Sequence, residues 1–453
     1  MRSSVVLLLG LLSACEAPVD DLSLIPGADG GTDADVGEDA SEPDAATAPD
    51  ATADLGVFDS GSVPRPDDVV AISAGTDHSC AVLGDGRVKC WGDNRFGQLG
   101  LGDTEARGDA PEEMGAALAA VDLGGQRVVR VSAGKQHTCA LGEAGDVFCW
   151  GLTGLDHGPL GTSLGDAPGE MSAAAAWVPL PGPAAGVTAG PERTCAWLEL
   201  SSALYCWGNN LHGQLGLGDR TARNAPPAAP IDLGTNESIE QVAVASSVCV
   251  RFSSGRIKCW GNNDSGRLGL GDDVPRGDEP GEMGEALPFV DFGPGAAVGL
   301  ATGFETTLAV LSDGTARWWG GVNDRVGIEA VGDGPGEMGD RLRALRFGPS
   351  GARSVAVFEA NPCVVLEDGG VKCWGFGSGI TGVEETLHGP RTATLAPLDL
   401  GGPARAVTVG RRHACALMTD ATMKCWGDAT SGALGRPRTP EAPWGDALPT
   451  VDL

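Results

Sequence analysis

His78-Ser79-Cys80-Ala81-Val82-Leu83-Gly84-Asp85-Gly86-Arg87-Val88-Lys89-Cys90-Trp91-Gly92 is the stretch that decides the fold. Two short runs rich in β-forming residues flank a Gly-containing turn, which is the pattern of a β-hairpin. Gly86 supplies the positive φ that a tight turn or a bulge after it requires. Side chains alternate along a strand, so Cys90 and Trp91 are expected on opposite faces.

Working outward, the same stretch returns. Ile72-Ser73-Ala74-Gly75 precedes it, and Val131-Ser132-Ala133-Gly134 precedes the next copy, His137 to Gly151. The marker Trp recurs at 91, 150, 207, 260, 319, 374 and 426, at spacings of 59, 57, 53, 59, 55 and 52. A recurrence at 52–59 residues means a repeat architecture. After each Trp comes a polar loop such as Asn209 to Asp219, and several loops then carry Gly-Asp-x-Pro-x-Glu-Met, as at Gly277 to Met283. A further short strand closes the unit, as in Val121-Asp122-Leu123, Ile231-Asp232-Leu233, Val290-Asp291-Phe292 and Leu398-Asp399-Leu400. Weaker versions are Val178-Pro179-Leu180 and Leu345-Arg346-Phe347.

That closing strand is missing before the first unit, yet a surplus copy stands at Val451-Asp452-Leu453. Circular closure explains both, with the last strand completing the sheet begun at Val69. Closure leaves few exposed strand edges. The expected fold is all-β: a seven-bladed β-propeller over residues 67–453, with four-stranded blades and a ring closed by the C-terminal strand. A linear solenoid is the alternative.

These units resemble the regulator-of-chromosome-condensation repeat. The resemblance rests on His78 to Leu83, Asp85-Gly86, Trp91-Gly92, Asn94 and Gly97-Gln98-Leu99-Gly100, with copies through seven units. It implies a seven-bladed propeller. Units five and six depart most; unit five has Trp318-Trp319-Gly320 and lacks the Gly-Gln-Leu-Gly loop. Members of the family include a nuclear guanine-nucleotide exchange factor and a secreted β-lactamase inhibitor. An exported chain has no access to a cytoplasmic GTPase, and nothing in the sequence identifies the inhibitor's target.

The chain has 13 Cys. Twelve fall into repeat pairs bracketing hairpin turns: Cys80 with Cys90, Cys139 with Cys149, Cys195 with Cys206, Cys249 with Cys259, Cys363 with Cys373 and Cys415 with Cys425. A three-residue loop centred on Asp85 sets residues 80 and 90 directly opposite, at a Cα separation that suits a disulfide. Unit five lacks both members together, with Leu308 and Trp318 in their places, as expected of bonded partners. Each bond closes a loop worth about 2–3 kcal/mol. Reduced core pairs and metal sites are the alternatives, although zinc sites use closer-spaced Cys or added His.

The thirteenth, Cys15, closes a different feature. Arg2 is a short positive segment, Val5 to Leu12 an apolar run too short to span a membrane, and Leu12-Ser13-Ala14-Cys15 resembles the bacterial lipoprotein lipobox. Residues 1–14 are then a lipoprotein signal peptide, and acyl chains on Cys15 would anchor the protein. An ordinary secretory signal with an incidental Cys is the alternative. Residues 15–66 form an acidic Ala/Asp/Pro-rich tether, with 13 acidic residues and one basic residue over 16–66. Such a stretch cannot bury enough apolar surface to offset chain entropy, and its charges extend it. The Asp spacing in Asp29–Asp39 lacks the context of a calcium loop.

A net charge of -30 disfavours nucleic acid and direct adsorption to anionic lipid. No catalytic, cofactor-binding or metal-binding set stands out. His78, His137 and His413 share one repeat position, which points to a structural role such as bonding a neighbouring strand. Gly97–Gly102 has no Lys-Ser/Thr ending, so it does not read as a phosphate loop. The repeated Trp series reads as blade-to-blade core, whereas Trp177, Trp197, Trp318 and Trp444 are the candidates for exposed contacts. The leading expectation is a non-catalytic binding scaffold of the bacterial cell envelope, a monomer engaging a protein or other macromolecule through its loop faces. The membrane is touched through the lipid anchor alone, favouring the outer membrane or cell surface over the periplasmic face of the inner membrane. The alternatives are an envelope polysaccharide hydrolase or lyase with its site in the central channel, and an inhibitor of another protein.

Overall fold

In the computed structural model the described residues are 63–110, 112–152, 163–172, 176–321, 330–375, 380, 392–428, 430–436 and 448–453. The signal peptide, Cys15, residues 16–62 of the tether and Trp444 lie outside them. From Pro64 onward the chain forms seven antiparallel sheets, each a meander of consecutive strands. In blade one the inner strand is Val69–Ala74, the middle strand His78–Leu83 and the outer strand Val88–Gly92. The inner strands of blades two to seven are Val128–Ala133, Ala184–Ala189, Ile239–Val244, Ala297–Thr302, Ala352–Phe358 and Ala404–Val409. Every inner strand carries a register shift near its start, between Val69 and Ala71 in blade one. A bulge there bends and twists each blade alike.

The hairpin geometry follows the sequence reading. The Leu83 amide donates to the Arg87 carbonyl (2.9 Å), enclosing Gly84-Asp85-Gly86, and Gly86 has φ +85°. Cys80 therefore faces Cys90 in register, and the pair is a disulfide. The other five expected pairs are bonded likewise: Cys139 to Cys149, Cys195 to Cys206, Cys249 to Cys259, Cys363 to Cys373 and Cys415 to Cys425. All six have Cα atoms 4.1 Å apart. The hairpin between Cys195 and Cys206 is longer by one residue, with the Leu198 amide on the Ala203 carbonyl (3.0 Å). The extra residue is absorbed in the turn, so Cys206 still stands opposite Cys195, as Cys259 does opposite Cys249 and Cys373 opposite Cys363.

Strand alternation then sends the cysteines and the marker Trp to different neighbours. Cys80 and Cys90 pack in the same core as Trp150 of blade two, whereas Trp91 packs with Cys415 and Cys425 of blade seven. The rule repeats: each disulfide lies in the junction occupied by the next blade's Trp, Cys206 with Trp260, Cys259 with Trp319 and Cys373 with Trp426. At the junction of blades five and six, Leu308 and Trp318 fill that space against Trp374.

Polar bonds lock the same junctions. Thr138 Oγ1 donates to the Gln98 carbonyl (2.8 Å), so its remaining role is to accept from His78 Nε2–H (2.9 Å). Trp150 Nε1 donates to the same carbonyl (3.0 Å). His78 Nε2, Thr138 Oγ1 and Trp150 Nε1 thus find their partners across a blade junction, as burial favours. Glycine is required where the chains approach: a Cβ on Gly100 would lie 2.8 Å from Trp150 Nε1, and one on Gly134 would lie 2.6 Å from the Gly190 carbonyl.

Two expectations need correction. The blades are not uniformly four-stranded: among the described residues two sheets have four strands and five have three. Val121-Asp122-Leu123 contributes one backbone bond, from the Val121 amide to the Val88 carbonyl (2.9 Å). The Asp122 side chain then accepts from the Gly124 amide (2.9 Å) and turns the chain away before a ladder forms. Asp232, Asp291 and Asp399 do the same with the glycine two residues on.

The second correction concerns which sheet the C-terminal strand joins. Thr450 bridges to Lys424 and the Val451 amide donates to the Met423 carbonyl (2.8 Å), so the strand edges blade seven rather than the sheet begun at Val69. It closes the ring by another route: the Gly115 amide of blade one donates to the Asp452 carbonyl (3.1 Å). Gly284 on Asp232 and Gly339 on Asp291 are the internal equivalents. The closing junction also has Trp91 Nε1 on the Ala433 carbonyl (3.0 Å) and His413 Nε2 donating to Ser79 Oγ (2.9 Å), which in turn donates to that carbonyl (3.1 Å).

Candidate functional site

The seven inner strands surround a central cavity of about 210 Å³. Its wall is mostly Ala, Val, Gly, Ser and Thr, because inner strands must crowd together on the axis. Most hydroxyls on this wall are occupied: Ser73 accepts from the Ala133 amide, Ser132 from the Ala189 amide and Thr408 from the Ala74 amide, all at 2.9 Å, whereas Thr302 Oγ1 is buried without a partner among the described residues. Blade four has Ala243 in place of the hydroxyl, and Gln241 substitutes for it by bonding both the amide and the carbonyl of Leu300 (3.0 and 2.7 Å).

Charge is sparse and polarised. Among the described residues Glu359 is the one acidic residue lining the cavity and Arg130 the one basic residue. They come from opposite ends of the inner strands. Arg353 and Arg405 stand at Arg130's end, and Arg353 donates to the Ala404 and Arg405 carbonyls (2.9 and 2.7 Å).

The mouth at the other end breaks the repeat. Where blades one, two, three, five and seven have Gly75, Gly134, Gly190, Gly303 and Gly410, blade six has Phe358, followed by Glu359. Glu359 sits in the left-handed region (φ +53°), which is costly for a residue with a Cβ. Burial pushes its carboxyl above the ordinary range; Arg411 and Arg412 oppose this, and Asp77 and Glu305 reinforce it. Phe304, 39% exposed, meets Phe358 edge to face at 6.0 Å between centroids. Sequence reasoning missed these residues, although the lost glycine was a visible departure from the repeat.

The other candidate residues are structural. His78, His137 and His413 are buried between blades, and burial pushes their rings down to about 3, 4 and 4. The repeated Trp residues are all buried. Of the proposed contact residues, Trp177 is 47% exposed, Trp318 is half-buried, and Trp197 is buried over Gly186 and lines the cavity. The Gly-Asp-x-Pro-x-Glu-Met loops are self-occupied anion nests: Glu282 Oε2 accepts from the amides of Gly277, Asp278 and Glu279 (2.9–3.1 Å). The amides of Gly332 and Gly334 likewise hold the Glu337 carboxyl below its ordinary value, while burial and Glu337 raise that of Asp333. No group of three or more His, Cys, Asp or Glu placed to hold a metal occurs among the described residues. Four lysines escaped sequence reading. Lys89, Lys258, Lys372 and Lys424 precede the second Cys of their pairs and cap carbonyls, Lys258 on Leu233 and Gly284 (2.8 and 2.9 Å).

Comparison with known proteins agrees with this architecture. Patterns described as the regulator of chromosome condensation repeat match residues 69–98 and 404–433, and residues 85–141 and 201–250. The chain is 31% identical over 268 residues to the ultraviolet-B receptor UVR8 of Arabidopsis thaliana, covering 57% of this chain and 54% of the receptor. It is 27% identical over 269 residues to the secretion-regulating guanine nucleotide exchange factor of Mus musculus, covering 54% of each. The chain thus spans about half the length of these relatives. Among solved structures it superposes on yeast RCC1 (Prp20) bound to Kap60 with a TM-score of 0.57 at 18% identity, covering 92% and 91% of the two chains. Human WBSCR16 gives 0.59 at 18% identity, covering 81% and 95%. These matches show that the chain carries regulator of chromosome condensation repeats, over residues 69–141, 201–250 and 404–433, on the β-propeller fold of yeast RCC1.

Proposed function

We propose that this protein is a bacterial cell-envelope lipoprotein that acts as a non-catalytic binding scaffold, engaging a protein partner through one loop face of its propeller. One observation carries the reading: the side chains that depart from the repeat, Phe304, Phe358 and Glu359, gather at one mouth of the ring, while the repeated polar groups are consumed by junctions between blades. Exposed aromatic and charged groups on a rigid frame suit recognition. The yeast propeller of similar fold, RCC1 (Prp20), binds Kap60, and its binding to Gsp1p and histones has been studied, which supports a protein as partner.

Anchoring is the second part of the proposal. Acyl chains on Cys15 hold the protein to the membrane, and the acidic segment up to residue 66 spaces the ring from it. The test is capture from envelope extract by the full-length protein, run beside a panel of polysaccharide hydrolase and lyase substrates. Saturable stoichiometric capture without turnover supports a scaffold; turnover abolished by Glu359→Gln refutes it. Incorporation of labelled palmitate should be lost in Cys15→Ala; retained label would overturn the anchor.

A further inference from the structure

Ion pairs tie most of the charges around the Glu359 mouth. Arg411 meets Asp77 at 2.8 Å, Lys135 meets Glu192 at 3.3 Å and Arg412 meets Asp428 at 3.5 Å. Glu305 and Glu359 have no cationic side chain within ion-pair distance among the described residues. They come from adjacent blades, and Phe304 immediately precedes Glu305. The Phe304 ring, edge-on to Phe358, leaves a partly exposed aromatic surface beside them, and Phe304, Phe358 and Glu359 all line the cavity.

Each feature selects the same ligand. Two carboxylates that Arg267, Arg411 and Arg412 approach without forming an ion pair favour a further cation, and an aromatic face attracts one through its quadrupole. The Phe304 and Phe358 rings at the rim offer apolar surface to an aliphatic stem, as lysine and arginine side chains provide. A hydrated divalent ion would need a larger set of oxygen ligands. Arg130, Arg353 and Arg405 stand at the other end of the inner strands, away from this mouth. A second copy of a chain with net charge -30 is repelled.

We infer that the channel mouth at blades five and six receives a lysine or arginine side chain of a protein partner, its stem against the Phe304 ring and its charge beside Glu305 and Glu359. This rests on the scaffold reading and adds the site and the chemistry of the partner.

The test is calorimetric titration of the full-length protein with hexalysine, hexaglutamate and spermine at 150 mM salt, where the Debye length is about 8 Å. Hexalysine should bind saturably at one site and hexaglutamate should not bind. Phe304→Leu and Glu359→Gln should each weaken hexalysine about tenfold. Glu199→Gln, on an exposed hairpin turn at the opposite end of blade three, should leave it unchanged. Glu305→Gln serves as a second carboxylate variant should Glu359→Gln lower the melting temperature. Equal weakening by Glu199→Gln would mean diffuse attraction to net charge and overturn the proposal. So would spermine binding as tightly as hexalysine, or hexalysine failing to saturate. A partner captured from envelope extract and still held by Phe304→Leu and Glu359→Gln would refute the mouth while leaving the scaffold standing; no capture by the parent protein would remove the scaffold itself.

Discussion

The Gly115 amide donates to the Asp452 carbonyl at 3.1 Å, and this bond joins blade one to the strand that edges blade seven. The same strand places Val451 and Leu453 against the core that holds Trp91. Ring closure therefore couples one backbone contact to a hydrophobic junction.

Deleting residues 448–453 should destabilise the whole propeller in one cooperative step. Leu448 is buried, and Val451 and Leu453 pack on the closing junction, so a loss of about 2–5 kcal/mol is expected. Thermal denaturation checks this; a truncated protein melting like the parent would refute closure by this strand.

Alkylation of the unreduced protein should find no free thiol between residues 67 and 453, because all twelve cysteines there are paired. Removing one pair, as in Cys139→Ala with Cys149→Ala, should cost about 2–4 kcal/mol. Intact mass and denaturant melts provide the readings.

Blade five offers a sharper case. Cysteines introduced by Leu308→Cys and Trp318→Cys would stand opposite one another, since those residues pair in register. The bond should form, as intact mass would show. Stability should nonetheless not rise. The gain of about 2–3 kcal/mol from the crosslink is offset by a cavity against Trp374, and loss of a large core side chain costs about 3–5 kcal/mol.

Acid should loosen the ring through its histidines. Burial lowers His78 to about 3 and His137 and His413 to about 4, from an ordinary 6.5. The unfolded chain thus takes up protons first. Their neutral-state stability is complete above pH 6.5, and is lost as pH falls from there towards the folded values. The slope is about 1.4 kcal/mol per pH unit for each histidine. Melting temperatures between about pH 7 and pH 5 should fall steadily, and less steeply in His137→Gln; equal slopes would contradict the assignment.

What the sequence disclosed was local or repeated. The hairpin at Asp85-Gly86, the opposition of Cys80 and Cys90 and the alternation that separates Cys90 from Trp91 depend on a few neighbouring residues. Partners from different blades were hidden. Trp150 and the Gln98 carbonyl lie 52 residues apart, and Lys258 and the Leu233 carbonyl lie 25 apart. The missing fourth strands were hidden for a different reason: the apolar pattern of Val121-Asp122-Leu123 is that of a strand, but Asp122 turns its chain through the Gly124 amide. Leu308 and Trp318 announced themselves as a joint change, while their volume-filling role required Trp374 to be placed. The mouth was the least legible, because Phe358 and the Glu359 beside it are meaningful only once the glycines that Phe358 replaces are seen around one axis.

The scaffold reading is tested most directly by following a captured partner through binding. The partner purified from envelope extract on the full-length protein should bind with saturable one-to-one stoichiometry. Its mass spectrum should be unchanged after prolonged incubation. A partner or polysaccharide altered at catalytic turnover, with the alteration abolished by Glu359→Gln while the protein stays folded, would contradict the account.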